Sequence, residues 1–139
     1  MEFDRSIDPT RDQVRALRDA GPEGPIVMVN LLKFRETALY PEDSEEPART
    51  GREAYALYEH AFTVSVKEVS QAQVMFHGPV NQVFIGREDD PGTDWDDVLI
   101  VRYPSRQHFL AMLADPTYKA ALVHRYAGLE RTVLLQCNG

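Results

Sequence analysis

The longest apolar run in the chain covers residues 25 to 34. Its β-branched residues, together with the Gly24-Pro25 pair at its start, predict a buried strand of about ten residues. Both faces of this strand are apolar, so each must be covered. We expect one face to line a cavity between two sheets and the other to meet the helices of the chain. By alternation, the cavity face carries Ile26, Met28, Asn30, Leu32 and Phe34.

Changes in the hydrophobic period predict the remaining elements. Asp8-Pro9 and Asp115-Pro116 start two helices, and Gly21 ends the first, because aspartate caps helix starts and glycine favours helix ends. Apolar residues at helical spacing predict a long helix over 51–71. Another helix begins after Ser105 as its cap. Alternating patterns predict strands over 73–77, continued in extended form over 81–85, and over 97–103 and 131–137.

The segment over 35–50 has a different character. It is acidic, bounded by prolines and without periodicity, and it predicts a long surface loop. Loops of this length in a compact domain often act as lids or binding loops. The alternative is a solvated, mobile excursion, and the sequence leaves both open.

The order strand, helix, two or three strands, helix pair, strand is typical of a ferredoxin-like split β-α-β plan. We therefore predict an α+β fold with an antiparallel sheet and helices on one face. The chain has the length of one domain, with an N-terminal helical extension over 1–22 and a ferredoxin-like α+β barrel domain over 25–139. No second layer remains to cover the free face of the sheet, so we expect a second subunit there and hence a homodimer.

Composition narrows the classes of partner. The 139 residues carry a formal net charge of -7, which argues against unaided binding to nucleic acid or to an anionic membrane. No apolar run approaches the ~18 residues of a membrane-spanning helix. Met1–Arg5 lacks the basic and then apolar order of a signal peptide. The single cysteine, Cys137, excludes an internal disulfide and indicates a cytoplasmic location.

Three polar residues in apolar surroundings are candidates for chemistry. The amide of Asn30 either donates to a substrate carbonyl or oxyanion, or satisfies a neighbouring backbone group. Arg102 lies in an apolar strand and Arg125 on an apolar helix face, and a buried guanidinium needs an anion. That anion is a substrate carboxylate or enolate, or more commonly a protein carboxylate.

The four histidines show no metal-ligand spacing, so we predict no metal site. His77 precedes Gly78 at a strand end, from which it could reach the rim of a pocket. There is no phosphate-cradling Gly-rich loop, no dinucleotide fingerprint and no Gly-x-Ser-x-Gly elbow. These absences predict a protein that works without a cofactor.

Several separate blocks, in the same order, resemble the domain-of-unknown-function thirteen-thirty family of the dimeric α+β barrel superfamily. The resemblance spans residue 25 to the end of the chain. It implies a homodimer whose two sheets face each other across a cavity. The residues that carry it are Val29-Asn30-Leu31-Leu32-Lys33-Phe34, Gly51-Arg52-Glu53-Ala54-Tyr55 with Tyr58, Trp95-Asp96, Arg102-Tyr103-Pro104-Ser105, Asp115-Pro116-Thr117-Tyr118 and His124-Arg125.

The resemblance implies little about activity, because the superfamily includes cofactor-free monooxygenases, lactone isomerases, cyclases and larger haem enzymes. It makes His124 the best histidine for acid–base work and keeps Tyr58 and Tyr118 as candidates for orienting a substrate. We expect a cofactor-free isomerase, cyclase or monooxygenase acting on a carbonyl-bearing metabolite. The alternatives are a non-catalytic dimeric small-molecule binding module and, third, a haem-binding protein with His124 or His77 as axial ligand. Catalysis is assigned to Asn30, His124 and Arg125, and substrate binding to Tyr58, His77, Arg102, Tyr118, Met28 and Phe34.

Overall fold

A computed structural model describes residues 7–139. The prediction that Met1–Arg5 is no signal peptide therefore concerns residues outside the described range. Short π-helical and 3₁₀ turns lie at Ala61–Ser65 and Pro91–Thr93. The helices are α1 (Arg11–Ala20), α2 (Gly51–His60), α3 (Lys67–Ser70), α4 (Arg106–Ala114) and α5 (Pro116–Gly128). The strands are β1 (Ile26–Phe34), β2 (Gln73–Pro79), β3 (Asp97–Tyr103) and β4 (Leu129–Asn138).

The four strands form one antiparallel sheet in the order β2-β3-β1-β4. One face of this sheet and the helices enclose a single core of buried side chains. The opposite face, called the outer face below, has no helix over it among residues 7–139. The α+β architecture with helices on one side of an antiparallel sheet confirms the prediction. No helix within the described range is long and apolar enough to cross a membrane.

The predicted orientation of β1 is wrong. Ile26, Met28, Leu32 and Phe34 are at most 8% exposed, and they pack into the core that the helices cover. The face with Asn30 therefore meets the helix layer, and the odd-numbered face is the outer one. The reason is physical: because both faces are apolar, alternation separates two sets of residues but does not tell which set meets the helices. On the outer face Val27, Val29 and Leu31 lie opposite Arg102, Ile100 and Val98 of β3.

Local capping explains two further differences from the predicted helices. Thr10 rather than Asp8 caps α1, because its side chain accepts from the Gln13 amide while the Gln13 side chain accepts from Thr10. The helix predicted over 51–71 is interrupted by the π-helical turn after His60. Thr63 donates from its hydroxyl to the Glu59 carbonyl oxygen at 2.7 Å, a contact that bends helices. β2 ends at Pro79, and the chain is irregular over 81–85, where the sequence predicted an extended segment.

The loop over 35–50 is anchored against α5. The Arg35 amide donates to the Gly128 carbonyl oxygen at 2.8 Å, and the Leu39 amide donates to the Ala127 carbonyl oxygen at 2.9 Å. At its far end the backbones of Gly51 and Gly128 touch, so that a Cβ on either would overlap a carbonyl oxygen. The loop is thus held at its start and at its end, so in this conformation it does not extend freely into solvent.

Candidate functional site

Two phenols from different helices meet in the interior. The hydroxyl of Tyr58 on α2 lies 2.8 Å from the hydroxyl of Tyr118 on α5, and either oxygen can be the donor. Both residues are buried, and their rings lie edge to face with centroids 5.7 Å apart. Tyr55 extends the aromatic cluster, with its ring centroid 5.2 Å from that of Tyr58. The periodicity of both helices predicts that these residues are buried, but only the structure shows that they meet.

Arg125 brings a positive charge to this phenol pair. Its side chain is 15% exposed, and its guanidinium carbon lies 5.9 Å from the centre of the Tyr58 ring. Nη2 donates to the Ile7 carbonyl oxygen at 2.8 Å, whereas the nearest carboxylate oxygen within residues 7–139, Oδ1 of Asp8, is 3.8 Å from Nη1. The same Asp8 oxygen accepts a hydrogen bond from the Tyr126 hydroxyl at 2.8 Å. Arg125 thus has a carboxylate nearby but no hydrogen-bonded ion pair with it.

Burial keeps these phenols protonated. It raises the pKa of Tyr55, Tyr58 and Tyr118 above the ordinary value, because the phenolate would lose its hydration. Burial, assisted by the hydrogen bond to Asp8, raises the pKa of Tyr126 to about 12. At neutral pH the cluster therefore consists of neutral hydroxyl donors around one permanently charged guanidinium.

Asn30 does not face an inter-sheet cavity, so the oxyanion role predicted for it there is wrong. Its side chain lies on the helix-facing side, where Nδ2 donates to the Leu99 carbonyl oxygen at 3.0 Å and to that of Met28 at 3.4 Å. Satisfying a backbone group was the alternative interpretation, and these contacts agree with it.

His124 holds the 35–50 loop. Its Nδ1 lies 2.8 Å from the Tyr40 hydroxyl, which also accepts from Nη1 of Arg49 at 2.7 Å. Because Arg49 can only donate, the Tyr40 oxygen accepts that bond, and either the hydroxyl or the ring nitrogen can be the donor between Tyr40 and His124. Arg49 also pairs with Glu46 at 2.8 Å. Tyr40, Arg49 and Glu46 were not predicted from the sequence, because residues that are distant along a loop give no periodic signal.

His77 lies between two carboxylates. Its Nε2 is 2.8 Å from Oδ2 of Asp97, and its Nδ1 is 3.1 Å from Oε2 of Glu59. Arg52 donates from Nη1 to both oxygens of Asp97, at 2.7 and 2.8 Å. Both ring nitrogens of His77 are therefore engaged by carboxylates. The burial of Asp97 could be read from the sequence, because Asp97 alternates with Leu99 and Val101 along β3. No sequence pattern indicated its partners, His77 and Arg52.

The remaining predicted site residues are dispersed. Met28 and Phe34 are core residues, 3% and 8% exposed. Phe34 lies under the Arg52 guanidinium, whose carbon is 4.8 Å from the ring centre. Arg102 lies on the outer face between Val27 and Gln73, and within residues 7–139 no carboxylate is at ion-pairing distance from it. The structure therefore brings together Tyr58, Tyr118 and Arg125 and separates them from Arg102 and His77.

Two concavities open on the surface. One of about 730 Å³ lies at the end of β1 and is lined by charged side chains that include Lys33, Arg35 and Arg52. The other, of about 690 Å³, lies between α5 and the 35–50 loop and is mostly apolar. Among the residues from Ile7 onward, no group of three or more His, Cys, Asp or Glu side chains is arranged to hold a metal ion.

Comparison with solved structures shows a relative over nearly the whole chain. The RPA0582 protein from Rhodopseudomonas palustris, a protein of unknown function, is 36% identical, with a TM-score of 0.82 over 96% of this chain and 95% of that one. The chain belongs to the RPA0582 family. A methylated form of RPA0582 gives 34% identity and a TM-score of 0.83 over 96% and 93% of the two chains.

A more distant solved structure shares only the fold with this RPA0582 relative. A dimeric protein of unknown function from Bacteroides fragilis, described as ferredoxin-like, is 14% identical with a TM-score of 0.51 over 83% of this chain and 96% of that chain. This likeness confirms the predicted ferredoxin-like fold. No family model matches the chain, and no curated protein matches it. The specific family named from the sequence blocks therefore stays a prediction.

Proposed function

We propose that this RPA0582 relative is a homodimeric small-molecule-binding protein that performs acid–base chemistry on a carbonyl-bearing metabolite without a cofactor. The reaction would be of the isomerase, cyclase or monooxygenase type, each of which passes through an enolate or a related carbanion. The observation that supports this most directly is the buried Arg125 guanidinium, which faces paired phenols and, within residues 7–139, has no hydrogen-bonded carboxylate.

Arg125 supplies what an enolate oxygen needs. A guanidinium in a site of low dielectric stabilises developing negative charge more strongly than it would in water. Nη2 is held by the Ile7 carbonyl oxygen, a neutral acceptor that an anionic oxygen can replace. The contact with the Ile7 carbonyl oxygen is therefore the one that a substrate oxygen would replace at Arg125, while the Asp8 carboxylate stays beside it.

The phenol pair supplies protons. Because burial raises the pKa of Tyr58 and Tyr118, their hydroxyls remain donors at neutral pH and could direct a hydrogen bond to the substrate oxygen. Asp8, 3.8 Å from Arg125, is the carboxylate in position to take a proton from carbon. We assign proton transfer to these groups rather than to His124, because Nδ1 of that imidazole is occupied by Tyr40.

The homodimer is supported by the outer face of the sheet. Phe76 and Leu135 are each 52% exposed there, and they lie beside the partly exposed Ile100 and Val29. Burial of such apolar side chains is worth roughly 25 cal/mol per Å², so a second sheet would cover this face favourably.

The second candidate is a dimeric binding module without turnover. It is favoured by the burial of Tyr58 and Tyr118, 6% and 5% exposed, which leaves a substrate no open path in this conformation. Nothing in the geometry favours the third alternative, haem binding. Both ring nitrogens of His77 already contact carboxylates, and His124 is held by Tyr40.

Deuterium exchange can test the catalytic proposal without knowledge of the metabolite. A panel of small ketones, β-keto acids and hydroxyquinones is incubated with the protein in D₂O, and loss of the protons next to the carbonyl is followed by NMR. We expect accelerated exchange for at least one compound, reduced about 100-fold in Arg125→Met and about tenfold in Tyr118→Phe. Arg106→Met is the matched control. Acceleration that survives in Arg125→Met, or none with any compound, contradicts the catalytic assignment.

A further inference from the structure

The side of α5 that faces the 35–50 loop carries an apolar stripe, of which Leu122 also packs against the core. Leu122, Val123 and Tyr126 follow Lys119 at helical spacing, and together they form one wall of the 690 Å³ concavity. Leu122 and Val123 are only partly buried. A stripe of this kind on a helix normally lies against another element.

The 35–50 loop forms the second wall without filling the space. Leu39, Tyr40 and Pro41 line it, and the loop is held there by the Leu39 amide and by the Tyr40 hydroxyl bonded to His124. Despite this anchoring, the Leu39 side chain is 65% exposed. The anchoring thus fixes an apolar side chain at the edge of an apolar cleft instead of burying it.

We propose that this cleft is a binding site for a small apolar molecule that carries one carboxylate. Its volume lies within the range of sites for small organic ligands, about 300 to 1,000 Å³. Two rigid walls on opposite sides fit a flat or narrow apolar body. The outer face of the sheet, where we place the second subunit, is on the other side of the protein, so the cleft stays open in the dimer.

Charge at the rim indicates the polar end of the ligand. Lys119 lies in the first turns of α5, where the exposed amides of the helix start add positive potential to its ammonium group. Within the described range no carboxylate lies at ion-pairing distance from Lys119. Glu42 is on the opposite, loop side of the rim. A carboxylate on the ligand would therefore pair with Lys119, and a cation is disfavoured by the helix.

This site shares Tyr126 with the Arg125 cluster, through the bond of its hydroxyl to Asp8, but the proposal does not depend on catalysis there. Three naphthalene derivatives with the same ring and different charge are the probes: 2-naphthoate, 2-naphthylmethanol and 2-naphthylmethylamine. Each is titrated into the full-length protein and followed by two-dimensional ¹H–¹⁵N NMR. We expect saturable binding in the order naphthoate, alcohol, amine, with shifts at the amides of Leu39 and Val123.

Two variants locate the contacts. Leu39→Glu puts a negative charge in the cleft at an exposed position and should abolish saturable binding of naphthoate. Lys119→Met keeps an apolar stem and should weaken naphthoate about fivefold while leaving the alcohol unchanged. Lys67→Met, on the exposed α3, is the control and should change neither. Retention of the folded spectrum in Leu39→Glu is checked at the same time.

Three outcomes of the titrations overturn the proposal. They are equal affinity for the acid and the amine, unchanged naphthoate binding in Leu39→Glu, and shifts that grow linearly to the solubility limit without saturation. A change of oligomeric state in Leu39→Glu would also overturn it, because the cleft would then be a contact between subunits.

Discussion

Nε2 of His77 lies 2.8 Å from Oδ2 of Asp97, and this contact joins the edge strand β2 to the interior. Asp97 is 2% exposed, whereas most of β2 is exposed. Glu59 and Arg52, both on α2, bond to the same pair. The four side chains therefore connect a helix and two strands at a place where few apolar contacts do so.

Asp97→Asn should destabilise the protein by about 2 kcal/mol, because the His77 ring and the Arg52 guanidinium lose their shared anion. This expected loss of stability is smaller than for a fully buried ion pair, because the Arg52 side chain is 55% exposed and its charge is screened by water. Urea unfolding measures the change. Asp12→Asn, at a side chain 92% exposed, should stay within about 0.5 kcal/mol of the parent. Equal stability of the two variants would contradict the structural role of Asp97.

The phenol pair should show coupling. Tyr58→Phe and Tyr118→Phe each leave one buried hydroxyl without its partner and should each cost about 1 to 2 kcal/mol. The double variant removes both hydroxyls and should cost at least about 0.5 kcal/mol less than the sum. A double-mutant cycle from urea unfolding supplies the numbers. Strict additivity would mean that the two hydroxyls do not share a hydrogen bond.

Stability should also fall at alkaline pH. A phenol in the unfolded chain ionises near its ordinary value of 10.0, whereas burial raises the folded pKa of Tyr58 and Tyr118. The folded state binds these protons more tightly. The resulting contribution to stability is complete below pH 10 and is lost as the pH rises through the folded pKa.

Unfolding at a series of pH values, read together with phenolate absorbance, checks this sign. We expect absorbance of the buried phenolates to appear only as the protein unfolds, and Tyr126 to ionise near its pKa of about 12. The Tyr58→Phe/Tyr118→Phe variant should lose less stability above pH 10 than the parent does. Complete ionisation near pH 10 in the folded protein would show that the phenols are accessible to water.

A charge on the outer face should separate the subunits. Ile100→Asp would place a carboxylate in the apolar surface that we assign to the dimer, at a cost of several kcal/mol per interface. Leu57→Asp makes the same change at a residue of α2 that is 43% exposed. Size-exclusion chromatography with light scattering should give a monomer for the first and a dimer for the second. A monomeric parent protein would refute the assignment directly.

The sequence predicts the order of elements well because each depends on local signals. The predicted bounds of β3 agree with Asp97–Tyr103, and Ser105 caps α4 as expected, by accepting from the His108 amide. The failures are of another kind. The direction in which Asn30 points depends on which side of the sheet the helices occupy, and β1 is equally apolar on both sides.

The site was predictable only in part, for the same reason. Tyr58, Tyr118 and Arg125 are polar groups on predicted helix faces, so their burial follows from periodicity. The 2.8 Å contact between the two hydroxyls joins residues 60 positions apart, and the position of Asp8 beside Arg125 joins residues more than one hundred positions apart. Both depend on how distant parts of the chain come together in three dimensions. His124 illustrates the limit, because its partner Tyr40 lies in a loop without any repeating pattern.

The backbones of Gly51 and Gly128 touch where α2 begins and α5 ends. Tyr58 lies seven residues, about 10 Å, along α2 from Gly51, and Tyr118 lies ten residues, about 15 Å, before Gly128 on α5. A side chain at either glycine would force the two helices apart at this end and change the angle between them. The distance between the hydroxyls of Tyr58 and Tyr118 would then depend on a position that contacts neither of them. The hydrogen bond between the two phenols can therefore be altered through residues that have no side chain at all.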